Sequence, residues 1–295
     1  MIKVLLSGGL GNQLFQYAFG KTLAIINNTS LILSTSFIES KLPIKKLATQ
    51  MKYELSIFYI DAEIEHNFIT GKIVYPFAKT EYLLRDKFNE KKMILLQEKS
   101  FEFQIDFLDY KDNTYAKGNF QSAKYFESIE SILRKELIFK NALIDKNLEW
   151  KTKIQSSNSI SIHIRRGDYI SIQKNQDKFV IQSLDYYKSA IAYIASKISQ
   201  PTFFVFSDDI SWTKDNLKAD FPMHFIDNNN TAETSYIDMQ LMSLCKHNII
   251  CNSTFSWWSA WLNANPLKIV IAPQNWFADK SINSQDLIPS EWIKL

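Results

Sequence analysis

Short apolar runs alternate with helical patterns along most of the chain. In the first half, an apolar run over residues 2–6 is followed by apolar residues at three- and four-residue spacings as far as Ile26. In the second half, apolar runs at 159–164, 201–206 and 268–272 are separated by segments of helical periodicity. Strands that alternate with helices are typical of parallel sheets. The sequence therefore predicts an α/β protein with a parallel sheet in each half.

Three other segments shape the predicted organisation. Apolar and polar residues alternate strictly over 101–107, which predicts a half-buried strand. Residues 141–157 are polar and lysine-rich, so we expect a domain boundary there, with a first domain over 1–150 and a second over 151–295. The C-terminal tail is expected to pack back on the first domain.

Composition limits the function classes. With 295 residues and 46% hydrophobic positions the chain can bury a large core, and a net charge of +3 does not indicate a nucleic-acid partner. Cys245 and Cys251 are expected to be reduced thiols, and the four histidines show no zinc-binding spacing. No secretory leader or membrane-length apolar stretch is recognisable, so we expect a cytoplasmic protein.

Lysines form two clusters in the first half. They are Lys41, Lys45 and Lys46, and then Lys87, Lys91 and Lys92. A solvated face is the simplest interpretation, and contact with a membrane surface or a glycan is the alternative.

Two adjacent arginines follow the strand predicted at 159–164. Arg165 and Arg166 are half of the four arginines in the chain, and Gly167 and Asp168 follow them directly. A guanidinium group binds phosphate or carboxylate through a rigid fork of donors, so the pair predicts an anion site at the end of a strand. The alternative is an ion pair between an arginine and Asp168 that closes a surface turn.

Two other predicted strands end in polar residues that complement these arginines. One is followed by Asp208 and Asp209, the other by Asn252, Ser253 and Thr254 at the start of a helix. The carboxyl ends of parallel strands meet at one edge of a sheet, where a helix start can bind a second phosphate. A nucleotide site without a P-loop and without a metal is predicted; Mg²⁺ held by the aspartates is the alternative, although Asp-x-Asp spacing is absent.

A glycine-rich loop joins the first strand to the first helix. Gly9 and Gly11 lie in it, but the third glycine of a dinucleotide-binding loop is missing, and no acid occurs before Glu39. Asn12 and Gln13 offer amides suited to sugar hydroxyls or phosphate. A tight turn capped by Asn12 is the alternative.

Five blocks of sequence together resemble glycosyltransferase family 11, the alpha-1,2-fucosyltransferases. They are residues 8–17, 118–126, 163–169, 206–209 and 238–258. The resemblance implies a GT-B architecture, with two Rossmann-like domains facing a central cleft. It also implies inverting transfer of L-fucose from GDP-beta-L-fucose to the 2-hydroxyl of a terminal beta-galactoside, with no metal or other cofactor.

The resemblance also implies roles for individual residues. Catalytic roles are expected for Arg165 and for Asn12. Asp168 is a candidate base because it lies close by in the sequence; the alternatives are that it orients Arg165 or Arg166, or that a loose transition state needs no strong base. GDP-fucose is expected to contact Gly9, Gly11, Asn12, His163, Arg165, Asp208, Asp209, Asn252, Ser253, Thr254 and Phe255.

The expected partners follow from the same resemblance. The acceptor would be a galactose-terminated oligosaccharide, including a lipid-linked one, in surface polysaccharide or O-antigen synthesis. The enzyme would then work at the inner face of the plasma membrane, with peripheral membrane contact. A transferase for another nucleotide sugar and a non-catalytic glycan-binding protein are the alternative functions.

Overall fold

The computed structural model describes residues 1–40, 52–66, 75–167 and 180–295, with the side chains of 75–79 left out. The chain divides into two compact units. Unit 1 comprises Met1–Lys140 and Asn283–Pro289, and unit 2 comprises Asn141–Ile282 and Ser290–Leu295. The division lies before the boundary that composition predicted, because most of the polar segment at 141–157 is a helix of unit 2.

Unit 1 is built on a five-stranded parallel sheet. Its strands lie in the order β3-β2-β1-β5-β4. The elements are β1 (Ile2–Leu5), α1 (Leu10–Ile26), β2 (Leu31–Ser34), α2 (Ser36–Glu39), β3 (Glu63–Glu65), α3 (Tyr75–Lys92), β4 (Ile94–Gln97), β5 (Thr114–Lys117) and α4 (Glu130–Glu136).

Unit 2 is built on a six-stranded parallel sheet. Its strands lie in the order β11-β10-β9-β6-β7-β8. The elements are α5 (Asp145–Gln155), β6 (Asn158–Ile164), α6 (Leu184–Ala195), β7 (Pro201–Ser207), α7 (Ile210–Asn216), β8 (Met223–Ile226), α8 (Tyr236–Leu244), β9 (His247–Ile249), α9 (Thr254–Leu262), β10 (Val270–Ala272) and β11 (Ile293–Lys294). The prediction of an α/β fold with two parallel sheets is confirmed.

Both faces of the sheet in unit 2 are covered by helices. Phe203 and Val205 of β7 belong to the core that includes α6, whereas Phe204 and Phe206 belong to the core that includes α5 and α8. Alternate residues of a strand point to opposite faces, so β7 is anchored on both sides. The residues that follow β6 and β7 therefore extend from a rigid support.

The strand predicted over 101–107 is absent, and this prediction is wrong. The segment leads into a 3₁₀ helix, Ile105–Asp109. The backbone N–H of Phe103 donates to the Asp286 carboxylate at 3.0 Å, and the Phe103 ring lies 4.8 Å from that of Tyr125. The Phe103 ring therefore packs against Tyr125. The Phe103 N–H, which would bond to a neighbouring strand in a sheet, bonds to the Asp286 carboxylate instead.

Charged groups attach α3 to the sheet of unit 1. On β1, the buried Lys3 places its Nζ 2.9 Å from Glu65 Oε1, and Arg85 Nη1 of α3 lies 3.6 Å from the same oxygen. On β5, Lys117 Nζ lies 2.9 Å from Asp86 Oδ2 of α3. In the described part of α3, these charged groups face the sheet beside Tyr82, which packs with Leu5 and Tyr115, so the sheet-facing side is mixed rather than wholly apolar.

Among the described residues, no helix is long and apolar enough to span a bilayer.

Candidate functional site

Asp208 holds together the turn that carries the two arginines. Its Oδ2 forms an ion pair with Arg165, 3.1 Å from Nε, and accepts from the Gly167 N–H at 3.1 Å, while its Oδ1 accepts from the Arg166 N–H at 2.8 Å. Ile164, the last residue of β6, is in register with Ser207 on β7, which brings the two corners together. Asp208 therefore holds the Arg165 side chain by charge and the backbone after it by hydrogen bonds.

Gly167 eases this close approach. A Cβ atom at this position would lie 3.0 Å from Asp208 Oδ2 and 3.3 Å from its Cγ. The glycine thus lets the backbone reach the carboxylate of Asp208.

Arg166 has a different environment from Arg165. The centre of its guanidinium group lies 3.3 Å from the centroid of the Trp212 ring, and its Nε lies 3.8 Å from Asp209 Oδ2. Asp209 also caps α7, since its Oδ1 accepts from the Trp212 N–H at 3.2 Å. This stacked and paired arginine stabilises unit 2.

His163 connects the end of β6 to the turn after β9. Its Nδ1 lies 3.1 Å from Cys251 Sγ, and its ring centroid lies 5.7 Å from that of Phe255. Burial, with a smaller effect of the Arg165 charge, lowers the pKa of His163 to about 3. Burial raises the pKa of Cys251 to about 12. Both groups are therefore neutral near pH 7, and Arg165 supplies the positive charge at this corner.

The start of α9 lies at the same edge of the sheet, because β9 pairs directly with β6. Ser253 caps the helix, with its Oγ accepting from the Phe255 N–H at 3.3 Å. The Asn252 side-chain amide donates to the carbonyls of Val180 at 2.9 Å and Trp276 at 2.8 Å. Asn252 therefore ties two loops to the turn. The helix α9 begins at Thr254, and its first N–H groups form a positive helix end suited to an anion.

Among the residues that the structure describes, no group of three or more His, Cys, Asp or Glu side chains could hold a metal ion. The metal-free reaction stays a prediction.

The glycine-rich loop lies in unit 1. Gly8 has a φ of +72°, and a Cβ there would lie 2.2 Å from Asn12 Nδ2. Gln121 Nε2 donates to Asn12 Oδ1 at 2.9 Å. Gly9 is the exposed residue before α1 and makes no side-chain cap, whereas Gly11 is buried in the first turn. The alternative that Asn12 caps the helix is therefore wrong.

A carboxylate that sequence reasoning missed lies at the start of α1. The Leu10 N–H donates to Glu54, and burial raises the pKa of that carboxyl above its ordinary value. Gln13 holds this segment, since its Oε1 accepts from the Glu54 N–H at 3.0 Å and its Nε2 donates to the carbonyls of Gly8 at 2.9 Å and Lys52 at 2.7 Å. The expectation that Gln13 faces a sugar or phosphate is wrong. Only a contact between distant segments reveals Glu54.

Asp168 lies outside the described residues, so its role as base or as a partner of an arginine stays a prediction.

Comparison with known proteins places this geometry in a family. The family model of glycosyl transferase family 11 matches residues 1–295. The O-antigen biosynthesis glycosyltransferase WbnK of Escherichia coli is 34% identical over 98% of this chain and 99% of its own length. An alpha-1,2-colitosyltransferase of Escherichia coli is also 34% identical, over 98% of this chain and 97% of its own.

Two more distant similarities agree. Rat galactoside alpha-(1,2)-fucosyltransferase 2 is 30% identical over 37% of this chain and 30% of its own length. The structure of a mutant of Arabidopsis thaliana FUT1 in complex with GDP covers 98% of this chain and 74% of its own, with a TM-score of 0.50 at 10% identity. This likeness concerns the fold, which is of the GT-B class. The match over the whole chain and the two full-length relatives show that the protein belongs to glycosyltransferase family 11.

Proposed function

We propose that this enzyme transfers L-fucose from GDP-beta-L-fucose to the 2-hydroxyl of a terminal beta-galactoside, with inversion, in surface polysaccharide or O-antigen synthesis. The observation that carries the proposal is the corner where Arg165, held by Asp208, lies at the same sheet edge as the capped start of α9. A fixed guanidinium group and a helix start together are well suited to bind a diphosphate.

The chemistry follows from charge development. As the fucose–phosphate bond breaks, the sugar ring becomes positive and the departing GDP becomes more negative. Arg165 and the first N–H groups of α9 stabilise the departing diphosphate, and they are positioned before the reaction begins. The acceptor oxygen attacks the opposite face of the sugar, which gives inversion.

Asp208 acts mainly by positioning Arg165 in this proposal. Asp209 is proposed to contact the guanosine. The proton of the acceptor hydroxyl goes to Asp168 or, in a loose transition state, to solvent. Gly9, Gly11 and Asn12 are proposed to contact the donor from unit 1, and no metal or other cofactor takes part.

The acceptor is proposed to be a galactose-terminated oligosaccharide carried on a lipid. WbnK, the relative named for O-antigen biosynthesis, supports a role in O-antigen synthesis, since its similarity extends over 98% of this chain. The enzyme would then work in the cytoplasm, at the inner face of the membrane and without nucleic acid.

A second candidate differs only in the donor sugar. The relative named alpha-1,2-colitosyltransferase is as similar to this chain as WbnK, each at 34% identity. Colitose lacks the 3-hydroxyl of fucose, and the described site recognises the phosphates shared by both donors. Colitosyl transfer to galactose is therefore the alternative function.

One assay separates these functions. The purified enzyme is incubated with GDP-fucose or GDP-colitose and a panel of beta-galactosides, with and without a chelator, and the linkage is read by NMR. We expect an alpha-1,2-fucosyl product that forms equally well with the chelator. Preference for GDP-colitose would select the second candidate, failure on every galactoside would contradict the acceptor, and loss of activity with the chelator would contradict the metal-free reaction.

A further inference from the structure

The outward side of α3 has an unusual composition for a surface helix. Three of its apolar side chains are exposed: Leu83 at 43%, Leu84 at 65% and Phe88 at 61%. Leu84 and Phe88 are four residues apart and so lie on one face of the helix. The edge strand that follows begins with two more exposed apolar residues, Ile94 and Leu95.

In the described part of the same helix, polar and charged side chains are turned inward beside Tyr82. Tyr82 and Asn89 are buried, and Asn89 Oδ1 accepts from Lys3 Nζ at 3.3 Å. Together with the ion pairs of Arg85 and Asp86, these contacts leave the apolar side of α3 facing away from the sheet. A helix that only covered a sheet would bury Leu84 and Phe88, because exposing them forgoes hydrophobic stabilisation.

The charge around this apolar surface is positive. Lys87, Lys91 and Lys92 are exposed on the same stretch of helix. The acidic residues in the described part of α3, which covers 80–92, are Glu81, Asp86 and Glu90. Glu81 pairs with Arg85, and both Asp86 and Glu90 pair with Lys117. Arg85 and Lys117 therefore offset two of these three acidic charges, and Lys87, Lys91 and Lys92 outnumber the one that is left.

We propose that this surface, formed by Leu83, Leu84, Lys87, Phe88, Lys91 and Lys92, docks unit 1 onto a bilayer that contains anionic lipids. Exposed apolar side chains bordered by lysines match the interface of such a bilayer, where rings and aliphatic chains enter the acyl boundary and ammonium groups meet headgroups. Charge complementarity therefore selects an anionic membrane as the occupant. This inference deepens the proposed function, because a lipid-linked acceptor is presented at that surface.

The test is co-sedimentation of the full-length protein with vesicles of phosphatidylcholine alone or with added phosphatidylglycerol. We expect binding to the anionic vesicles only. Leu84→Gln/Phe88→Gln should weaken it about tenfold or more, and Lys87→Gln/Lys91→Gln/Lys92→Gln about 100-fold, since each lysine contributes roughly fivefold. These side chains are exposed, so the variants should fold, which circular dichroism checks.

Matched controls lie in unit 2. Ile144 and Leu148 are 66% and 49% exposed at the same four-residue spacing, and Lys188, Lys197 and Lys218 are exposed lysines. Their glutamine variants should bind vesicles like the unaltered protein.

Three results would overturn the proposal: no binding of the unaltered protein to anionic vesicles, unchanged binding by the α3 variants, or self-association in solution that Leu84→Gln/Phe88→Gln abolishes. Vesicle binding requires no turnover, and transfer to a soluble galactoside is measured on the same samples. A failure of docking and a failure of the proposed activity are therefore distinguishable.

Discussion

Arg165 and Arg166 are neighbours in the chain, but their surroundings differ. Arg165 is proposed to bind the diphosphate, and Arg166 stacks on Trp212. We expect Arg165→Ala to lower turnover by about 10²-fold or more, because a positioned donor to the departing diphosphate is lost. Arg165→Lys should recover little of this, since an ammonium group lacks the guanidinium fork. Steady-state kinetics on folded protein measures both.

Arg166 is the control for this prediction, because its replacement should affect stability rather than turnover. Arg166 stacks on Trp212, so Arg166→Ala should chiefly lower the melting temperature. Near-normal turnover of folded Arg165→Ala would contradict the assignment, as would an Arg166→Ala variant that loses turnover at unchanged stability.

Asp238, in the first turn of α8, predicts a pH dependence of stability. Its Oδ1 accepts from Asn229 Nδ2 at 2.8 Å, and burial raises the pKa of Asp238 from 3.8 to about 7. The folded protein therefore keeps a proton that the unfolded chain releases near pH 4. The stability that this proton contributes is complete below about pH 4 and is lost as the pH rises through about 7.

Asp238→Asn removes this titration and keeps the accepting oxygen. We expect the variant to have a higher free energy of unfolding at pH 8, by about 1 kcal/mol or more, and a difference that shrinks towards pH 4. Urea unfolding at pH 4, 6 and 8 measures it. A difference that is constant with pH would show that Asp238 is ionised in the folded protein.

At the scale of elements, the free energy of unfolding measures how much the buried Lys3, which contacts both β3 and α3, stabilises unit 1. Lys3→Ala leaves the part-buried Glu65 without its nearest cation, so it should cost about 3 kcal/mol. Lys214 and Asp227 form an exposed pair at 2.7 Å, and Lys214→Ala should cost at most about 1 kcal/mol. Urea unfolding compares the two, and equal costs would mean that the buried Lys3, which links Glu65 of β3 and Asn89 of α3, contributes no more than an exposed pair.

At the scale of the whole molecule, the proposed diphosphate contacts of Arg165 and α9 lie in unit 2. Binding of GDP should therefore raise the stability of that unit. GDP at about 100 times its Kd should add about 2.7 kcal/mol to the stability of the unit that binds it. Differential scanning calorimetry should therefore show a higher unfolding temperature with GDP. Arg165→Ala should remove this shift, whereas Arg134→Ala, in a half-buried pair with Glu130 of unit 1, should keep it. An unchanged shift in Arg165→Ala would contradict the diphosphate site.

The sequence by itself determined the fold class and the family. Apolar runs and helical periodicity are local, so they indicated most strands of unit 2 and the first strand and helix of unit 1, and the motifs around Arg165 and Ser253 indicated an anion site. Local patterns failed at 101–107, where aromatic residues alternate because they surround Tyr125.

Only the tertiary structure decided which groups meet. It showed that Asp208 holds Arg165, that Asn252 ties loops together, that Glu54 lies at the start of α1 and that α3 turns its apolar side outward. Each of these depends on contacts between residues far apart in the chain. Such contacts form only when the sheets bring the ends of several strands together, so no local pattern of residues encodes them.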